Sequence, residues 1–208
     1  AYVLRIDDLN TIPANLATLP YNPNDPVEDN RWSSNVTKIA GGNISVGSAN
    51  ETVSPIADAR FAHLEGLGID GQNRIYIADV ENYQIRRIDP ANNQVTVFAS
   101  MSSATPSTTS PTVYVHEIRV DRAGNVFIPS PSVSPALGVY LITPEGKISL
   151  IAGTGTSGLM DGDPLKEATF VSPRGIDFGP DGTLYIADIG WGVRKIERFH
   201  PAYNLQMP

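Results

Sequence analysis

The chain has 208 residues, no cysteine, and 22 acidic against 15 basic residues, which gives a formal net charge of −7. This acidic balance argues against a nucleic-acid partner, because broad phosphate binding needs clustered basic residues. The lack of cysteine excludes disulfides, thiolate nucleophiles and covalent c-type haem, and no apolar run approaches the roughly 18–20 residues of a membrane span.

The first predicted elements are two strands that flank a Pro-, Asn- and Asp-rich insertion. Residues 2–7 (Tyr-Val-Leu-Arg-Ile-Asp) resemble the third strand of the repeat units that follow, and residues 36–42 (Val-Thr-Lys-Ile-Ala-Gly-Gly) resemble a fourth strand. The last unit, residues 174–199, lacks a fourth strand of its own. We expect residues 36–42 to pair with its last strand, residues 193–197, because an open sheet edge recruits another strand.

The central elements are three copies of one strand pair. A short apolar run comes first, at residues 66–70, 117–121 and 175–179. The second strands are Ile75–Asp79, Val126–Ser130 and Leu184–Asp188. The turns between them hold Asn73, Gly124 and Gly182 at equivalent positions, where a positive φ is cheapest for Gly and tolerable for Asn. The spacing therefore predicts three β-hairpins.

Further strands follow each hairpin and complete a repeat unit. Third strands are predicted at residues 84–89, 138–143 and 193–197, and fourth strands at residues 95–99 and 148–153. Second strands begin at residues 75, 126 and 184, so the repeat is slightly longer than the roughly 40–50 residues of common propeller blades. Both alternating faces of the second strands are apolar, which favours a sheet packed between two other sheets.

The middle unit departs from the pattern at the end of its second strand. Pro129 and Ser130 replace the Ala-Asp that ends the other two copies. Proline lacks the backbone N–H that a sheet ladder needs, so we expect this strand to end early or to contain a bulge.

These units resemble the NHL repeat of the bacterial and teneurin-like type. The resemblance covers residues 36–199 and is strongest at residues 148–197, where Ile148 to Gly153, the Asp161-Gly162-Asp163 turn and Leu184–Asp188 follow in the family's order. It implies an all-β fold, a β-propeller of NHL-type four-stranded blades. About three to four blades would lie in this chain, whereas propellers of the family usually have about six.

The domain organisation follows from this count. We expect a single propeller domain over residues 1–208, with an N-terminal strand and insertion at residues 1–35, the repeat region at 36–199 and a tail at 200–208. A low blade number leaves three alternatives: a small ring, a slice of a larger propeller, or copies of the chain that complete one another.

The repeat alignment also predicts a candidate ligand site. Three different polar residues fall at one equivalent position before the first strands, and three more fall two residues earlier: Glu65, His116 and Arg174, and His63, Tyr114 and Ser172. First strands of all blades converge at the central channel, so these side chains are expected at its mouth. Such a ring suits a small polar ligand or a metal; the alternative is ordinary polar residues at the rim.

A metal-dependent lyase or hydrolase with its site at the channel mouth is the competing function. Amidating lyases that resemble this fold use channel histidines, and a catalytic zinc needs about three protein ligands. Only His63 and His116 lie on matching strands, while His200 follows the last one. The Asp161-Gly162-Asp163 segment has no Glu at the twelfth position of a calcium loop and is interpreted as a structural turn. We therefore predict no catalytic residue, no metal and no cofactor.

The sequence thus favours a non-catalytic binding or structural module, exported or on the cell surface, with the periplasm as the alternative location. The absence of an initial Met favours export with processing or an excised segment. Its expected partner is a protein or glycan ligand, or copies of itself joined by strand exchange.

Overall fold

The computed structural model describes residues 3–6, 36–41, 53–101, 115–131 and 137–197. Fourteen β-strands and two short 3-10 turns make up the regular structure of these residues, so the all-β prediction is confirmed. None of them belongs to a helix that is long and apolar enough to cross a membrane.

The first blade is a five-stranded antiparallel sheet. Its strands are β3 (Val53–Pro55), β4 (Leu64–Ile69), β5 (Ile75–Asp79), β6 (Gln84–Asp89) and β7 (Gln94–Ser100), and their order is β3-β7-β6-β5-β4. The four predicted strands are present. The three-residue β3 was not predicted, because a segment this short has no readable periodicity.

The second and third blades follow the same meander. The second has the order β11-β10-β9-β8, from β8 (Arg119–Val120), β9 (Val126–Ser130), β10 (Leu137–Ile142) and β11 (Ile148–Gly155). The third has only β12 (Pro173–Phe178), β13 (Leu184–Asp188) and β14 (Gly192–Ile196). Within the described part of the chain, β14 is therefore an edge strand.

The prediction that the middle second strand ends early or bulges at Pro129 is wrong. β9 runs to Ser130, and Pro129 pairs with Val139 of β10 in an unbroken register. The neighbour on the other side, β8, reaches only as far as Phe127. The short β8 explains why Pro129 is tolerated, because a proline needs one side of its strand without a ladder partner.

The N-terminal strands form a separate two-stranded ribbon. β1 (Val3–Ile6) pairs with β2 (Val36–Ala40), and Ile6 lies opposite Val36. The prediction that residues 36–42 pair with residues 193–197 is therefore wrong. The physical reason is that β1 is itself a third strand and is available to β2. It pairs with β2 in the same register in which β10 pairs with β11, where Ile142 lies opposite Ile148.

The hairpin turns have the predicted backbone. Asn73, Gly124 and Gly182 have φ angles of 60°, 89° and 80°. In the first two turns a buried aspartate accepts hydrogen bonds from backbone amides, as when Asp70 Oδ1 accepts from Gln72 N at 2.8 Å and Asp121 Oδ1 accepts from Ala123 N at 2.9 Å. These carboxylates fix the turn between first and second strands in the manner of Asx turns.

Three apolar clusters lie between the sheets and follow one rule. The second residue of each second strand faces the next blade, so Tyr76 faces the second blade and Phe127 faces the third. The third residue faces the preceding unit. Ile77 therefore faces the ribbon, where Ala40 is buried, and Ile186 faces the second blade. The predicted burial of Ile77 and Ile186 is confirmed, and each blade presents one face to the preceding unit and one to the next.

The described residues form a partial β-propeller with two open ends. The exposed large apolar side chains lie on the first blade and in the last unit, and none lies on the strands of the second blade: Val53, Leu67, Ile69, Tyr83, Leu159, Met160, Leu165, Val171, Tyr185, Ile189, Trp191 and Val193. Tyr185 shows the effect directly, because it is 40% exposed whereas its equivalent Tyr76 is fully buried. Apolar patches of this kind are normally covered in a complete assembly.

Candidate functional site

Glu65 and His116 meet where the first two blades join. Gly66 N donates to His116 O at 3.1 Å, and a Cβ at Gly66 would lie 2.5 Å from Glu117 Cα. Only glycine permits this approach of the two backbones. The side chains then form a short contact of 2.6 Å between His116 Nδ1 and Glu65 Oε2.

A β-bulge gives Glu65 its position. In the pairing of β4 with β5, Leu64 lies opposite Asp79 and Leu67 opposite Ile77, so Glu65 and Gly66 together oppose one residue. An extra residue of this kind bends the strand and redirects its side chain. The bulge therefore explains how a strand residue reaches the neighbouring blade.

Two more titratable side chains surround this pair. His63 Nε2 lies 3.7 Å from Glu65 Oε1, and His63 Nδ1 lies 3.9 Å from Glu81 Oε1. Glu65 and His116 are partly buried, whereas His63 and Glu81 are about half exposed. The cluster thus offers carboxylate acceptors and imidazole donors at a solvent-accessible rim, a combination that hydrogen-bonds well to hydroxyl groups.

The structure brings together only part of the predicted site. Glu65, His116 and His63 lie within contact distance of one another, and Tyr114 lies outside the described residues. Arg174 is exposed on β12, at a second bulge between Pro173 and Gly175. No hydrogen bond or ion pair within the described residues joins Arg174 to the cluster.

Ser172 has a structural environment instead. Its backbone N–H donates to Asp188 Oδ1 at 2.6 Å, and Val171 N donates to the same carboxylate. The equivalent Asp79 accepts from Ala62 N at 3.0 Å, directly before His63. The aspartate that ends the second strand therefore positions the segment leading into the first strand.

A buried arginine, Arg86, and a partly buried one, Arg194, accompany these aspartates. Arg86 Nη1 lies 3.6 Å from Asp79 Oδ2 and Arg194 Nη1 lies 3.8 Å from Asp188 Oδ2. Burial raises the pKa of the Asp79 carboxyl, although hydrogen bonds from Asn82 and Ala62 oppose that rise. These four residues belong to the framework of the blades.

Sequence reasoning did not identify Glu81 as a site residue or Glu117 as a contact between blades. Glu81 lies in the 3-10 turn Val80–Asn82, and Glu117 Oε2 accepts from Ile176 N at 3.3 Å, which joins the second blade to the third. The position of Glu81 could have been found from the repeat. The connection after a second strand lies at the same end of the sheet as the start of the first strand, so Glu81 could have been placed near His63.

No group of three or more His, Asp or Glu side chains within the described residues is placed to hold a metal ion. The Asp161 to Asp163 segment is a turn in which Asp163 Oδ1 accepts from Leu165 N at 3.0 Å and Lys166 N at 3.1 Å. These hydrogen bonds are consistent with a structural turn, and the absence of a metal there stays a prediction.

Comparisons with known proteins agree with the fold. No protein-family model matches the chain. Over 143 residues it is 28% identical to Teneurin-m of Drosophila melanogaster, a match that covers 63% of this chain and 5% of that protein. The chain thus corresponds to a small part of a much longer relative, and the relative's activity as a whole does not transfer.

Two solved structures share the architecture. A protein of unknown function from Bacteroides thetaiotaomicron matches with a TM-score of 0.53 and 20% identity, over 80% of this chain and 37% of that one. An auxiliary nutrient binding protein from the same organism matches with a TM-score of 0.50 and 20% identity, over 77% and 40%. At this identity the likeness shows the fold alone. The chain is a partial β-propeller similar to a segment of teneurins, and its assignment to the NHL type stays a prediction.

Proposed function

We propose that this chain is a non-catalytic, exported or cell-surface binding module whose ligand is a glycan. The site is the cluster of Glu65, His116, His63 and Glu81 at the junction of the first two blades. A second part of the proposal is that the chain joins copies of itself by strand exchange at its open end.

The contact between Glu65 and His116 carries the ligand proposal. The two groups come from different blades, and a bulge and a glycine bring them together. Their partial exposure leaves oxygen and nitrogen atoms for a ligand, while His63 and Glu81 widen the polar rim. Sugar hydroxyls both donate and accept hydrogen bonds, so they match this mixture of groups.

Two other observations are consistent with a binding role, although the proposal does not depend on them. One solved structure of similar fold is described as an auxiliary nutrient binding protein. The net charge of −7 suits a neutral or cationic ligand better than a phosphate.

The test is a glycan array probed with the wild-type chain and with Glu65→Gln and His116→Gln. We expect the wild type to bind a defined class of glycan and each variant to bind about tenfold more weakly, because each substitution removes one partner of the Glu65–His116 contact and with it the geometry of the hydrogen bonds to the ligand. Glu145→Gln is the matched control, since Glu145 is exposed in the turn between β10 and β11. Absence of wild-type binding, or equal binding by all variants, would overturn the proposal.

A further inference from the structure

Within the described residues, β14 has an open edge, and this edge lies beside a cavity that an outer strand would fill. The cavity measures about 670 Å³ and is lined by all of β14 together with residues of the second blade and the preceding loop. Its apolar lining includes Ala152, Pro164, Phe170, Trp191, Val193 and Ile196. In the complete blades, β7 and β11 occupy the corresponding place beside β6 and β10.

The register defines what would lie opposite each residue of β14. Ile88, Ile142 and Ile196 are equivalent, because they pair with Ile75, Val126 and Leu184. On the fourth strands, Val95 lies opposite Ile88 and Ile148 opposite Ile142. A strand added to β14 would therefore place a β-branched apolar residue opposite Ile196.

β2 has the sequence of such a strand. Val36-Thr37-Lys38-Ile39-Ala40 matches Ile148-Ser149-Leu150-Ile151-Ala152 of β11 position by position, with an identical Ile-Ala pair. Ala40 and Ala152 also occupy equivalent environments, each buried against the next blade.

Within the described residues, β2 lies in the smallest sheet of the fourth strands. It belongs to a two-stranded sheet, whereas β7 and β11 lie in sheets of five and four strands. Fewer strands therefore hold β2 in its sheet, although Ala40 of β2 is buried against the first blade.

One pair in this register brings two cations together, because Lys38 would fall opposite Arg194 and like charges at opposed positions are destabilising. The Arg194 guanidinium already contacts Asp161 Oδ1 at 2.6 Å, and the Asp161 carboxylate is otherwise exposed in the cavity lining. Asp161 therefore offsets part of this repulsion, whereas Glu197 already pairs with Lys195.

We infer that the β14 edge and its cavity form an acceptor for β2 of a second copy of this chain, added antiparallel as the fourth strand of the third blade. This inference deepens the strand-exchange part of the proposed function and names its donor and acceptor. Added strands of this kind gain affinity from main-chain hydrogen bonds and specificity from alternate side chains. The glycan site lies on other residues, so the two parts of the proposed function can fail separately.

The test uses a fluorescent peptide with the sequence of residues 35–42 and the full chain, followed by anisotropy. Two further peptides carry backbone N-methyl groups on alternate residues, one on the even positions and one on the odd. An added edge strand donates only alternate N–H groups to its neighbour. We expect one methylated peptide to bind like the parent and the other about tenfold more weakly.

Substitutions of the chain provide the second arm. Val193→Asp places a charge on the acceptor edge, where Val193 is 75% exposed, and should weaken peptide binding about tenfold. Val53→Asp is the control, because Val53 is also exposed but lies on β3 of the first blade. Equal binding by both methylated peptides, or no binding below about 1 mM, would overturn the acceptor. Peptide binding by a chain that stays monomeric in light scattering would overturn the second copy as its source.

Discussion

At the scale of single residues, the fold is held by apolar side chains that occupy the same position in each blade. Ile186 belongs to the cluster between the second and third blades, with Phe127 and Leu184. It is almost completely buried, whereas Ile189, only three residues later, is 51% exposed. The two isoleucines therefore form a matched pair for testing the packing between blades.

Ile186→Ala should lower the free energy of unfolding by about 2–5 kcal/mol, because it removes buried methylene groups and leaves a cavity. Ile189→Ala should change it by about 0.5 kcal/mol or less, as expected for an exposed site. Denaturant unfolding of both variants measures the difference. A loss below about 1 kcal/mol for Ile186→Ala would contradict its placement between blades.

Tyr76 gives the fold a sensitivity to alkaline pH. Burial raises the pKa of Tyr76 to about 12 from its usual value of about 10, and the nearby Asp70 carboxylate adds to the rise. The folded state therefore favours the neutral phenol. The resulting stability is fully present below pH 10 and is lost as the pH rises to about 12, by at most about 2–3 kcal/mol.

Tyr76→Phe should remove this part of the alkaline destabilisation. The wild type should then lose stability faster than the variant between pH 10 and 12, so its free energy of unfolding falls relative to that of the variant as the pH rises. Denaturant titrations at several pH values check this. Parallel curves across the window would show that the Tyr76 phenol titrates like an exposed one.

At the scale of elements, the hairpin turns connect sequence and structure most directly. Gly182→Ala should cost about 1 kcal/mol, because an alanine at a φ of 80° is strained. Gly182→Asn should cost less, since Asn73 holds the equivalent turn at a φ of 60°. Thermal unfolding of the two variants ranks them. An asparagine variant as unstable as the alanine variant would contradict the equivalence of the turns.

The strands of the three units could be predicted because their apolar pattern repeats with turn residues at constant offsets. The partner of β2 could not be predicted. Residues 36–42 resemble a fourth strand, and they suit either of two third strands, β1 or β14. Strand patterning specifies which face is buried but not which of two similar edges is used. The local pairing with β1 in the structure is the information that the sequence lacked.

The candidate site could likewise be predicted only in part. Glu65, His116 and His63 could be placed together from the repeat alignment alone. Arg174 aligns with Glu65 and lies at the equivalent bulge, but no blade follows the third within the described residues, so Arg174 has no partner there like His116. Glu81 could have been added by the same reasoning, because the 3-10 turn after β5 lies at the end of the sheet where the first strand begins.

At the scale of the whole molecule, the described residues are an interrupted series of blades. A half-blade, β1 and β2, precedes two complete sheets, and a three-stranded sheet follows them. The rule that each blade buries one face on each neighbour accounts for the exposed apolar residues at both ends. It also accounts for the edge of β14 as the place where another strand adds.

The open edge of β14 is tested most directly by amide hydrogen exchange along the three third strands, at a concentration where light scattering shows a monomer. β6 and β10 each lie between two strands, whereas β14 has a neighbour only on the β13 side within the described residues. We predict that the amides of β6 and β10 are protected throughout, while alternate amides of β14 exchange rapidly. Uniform protection of β14 at the level of β10 would contradict it.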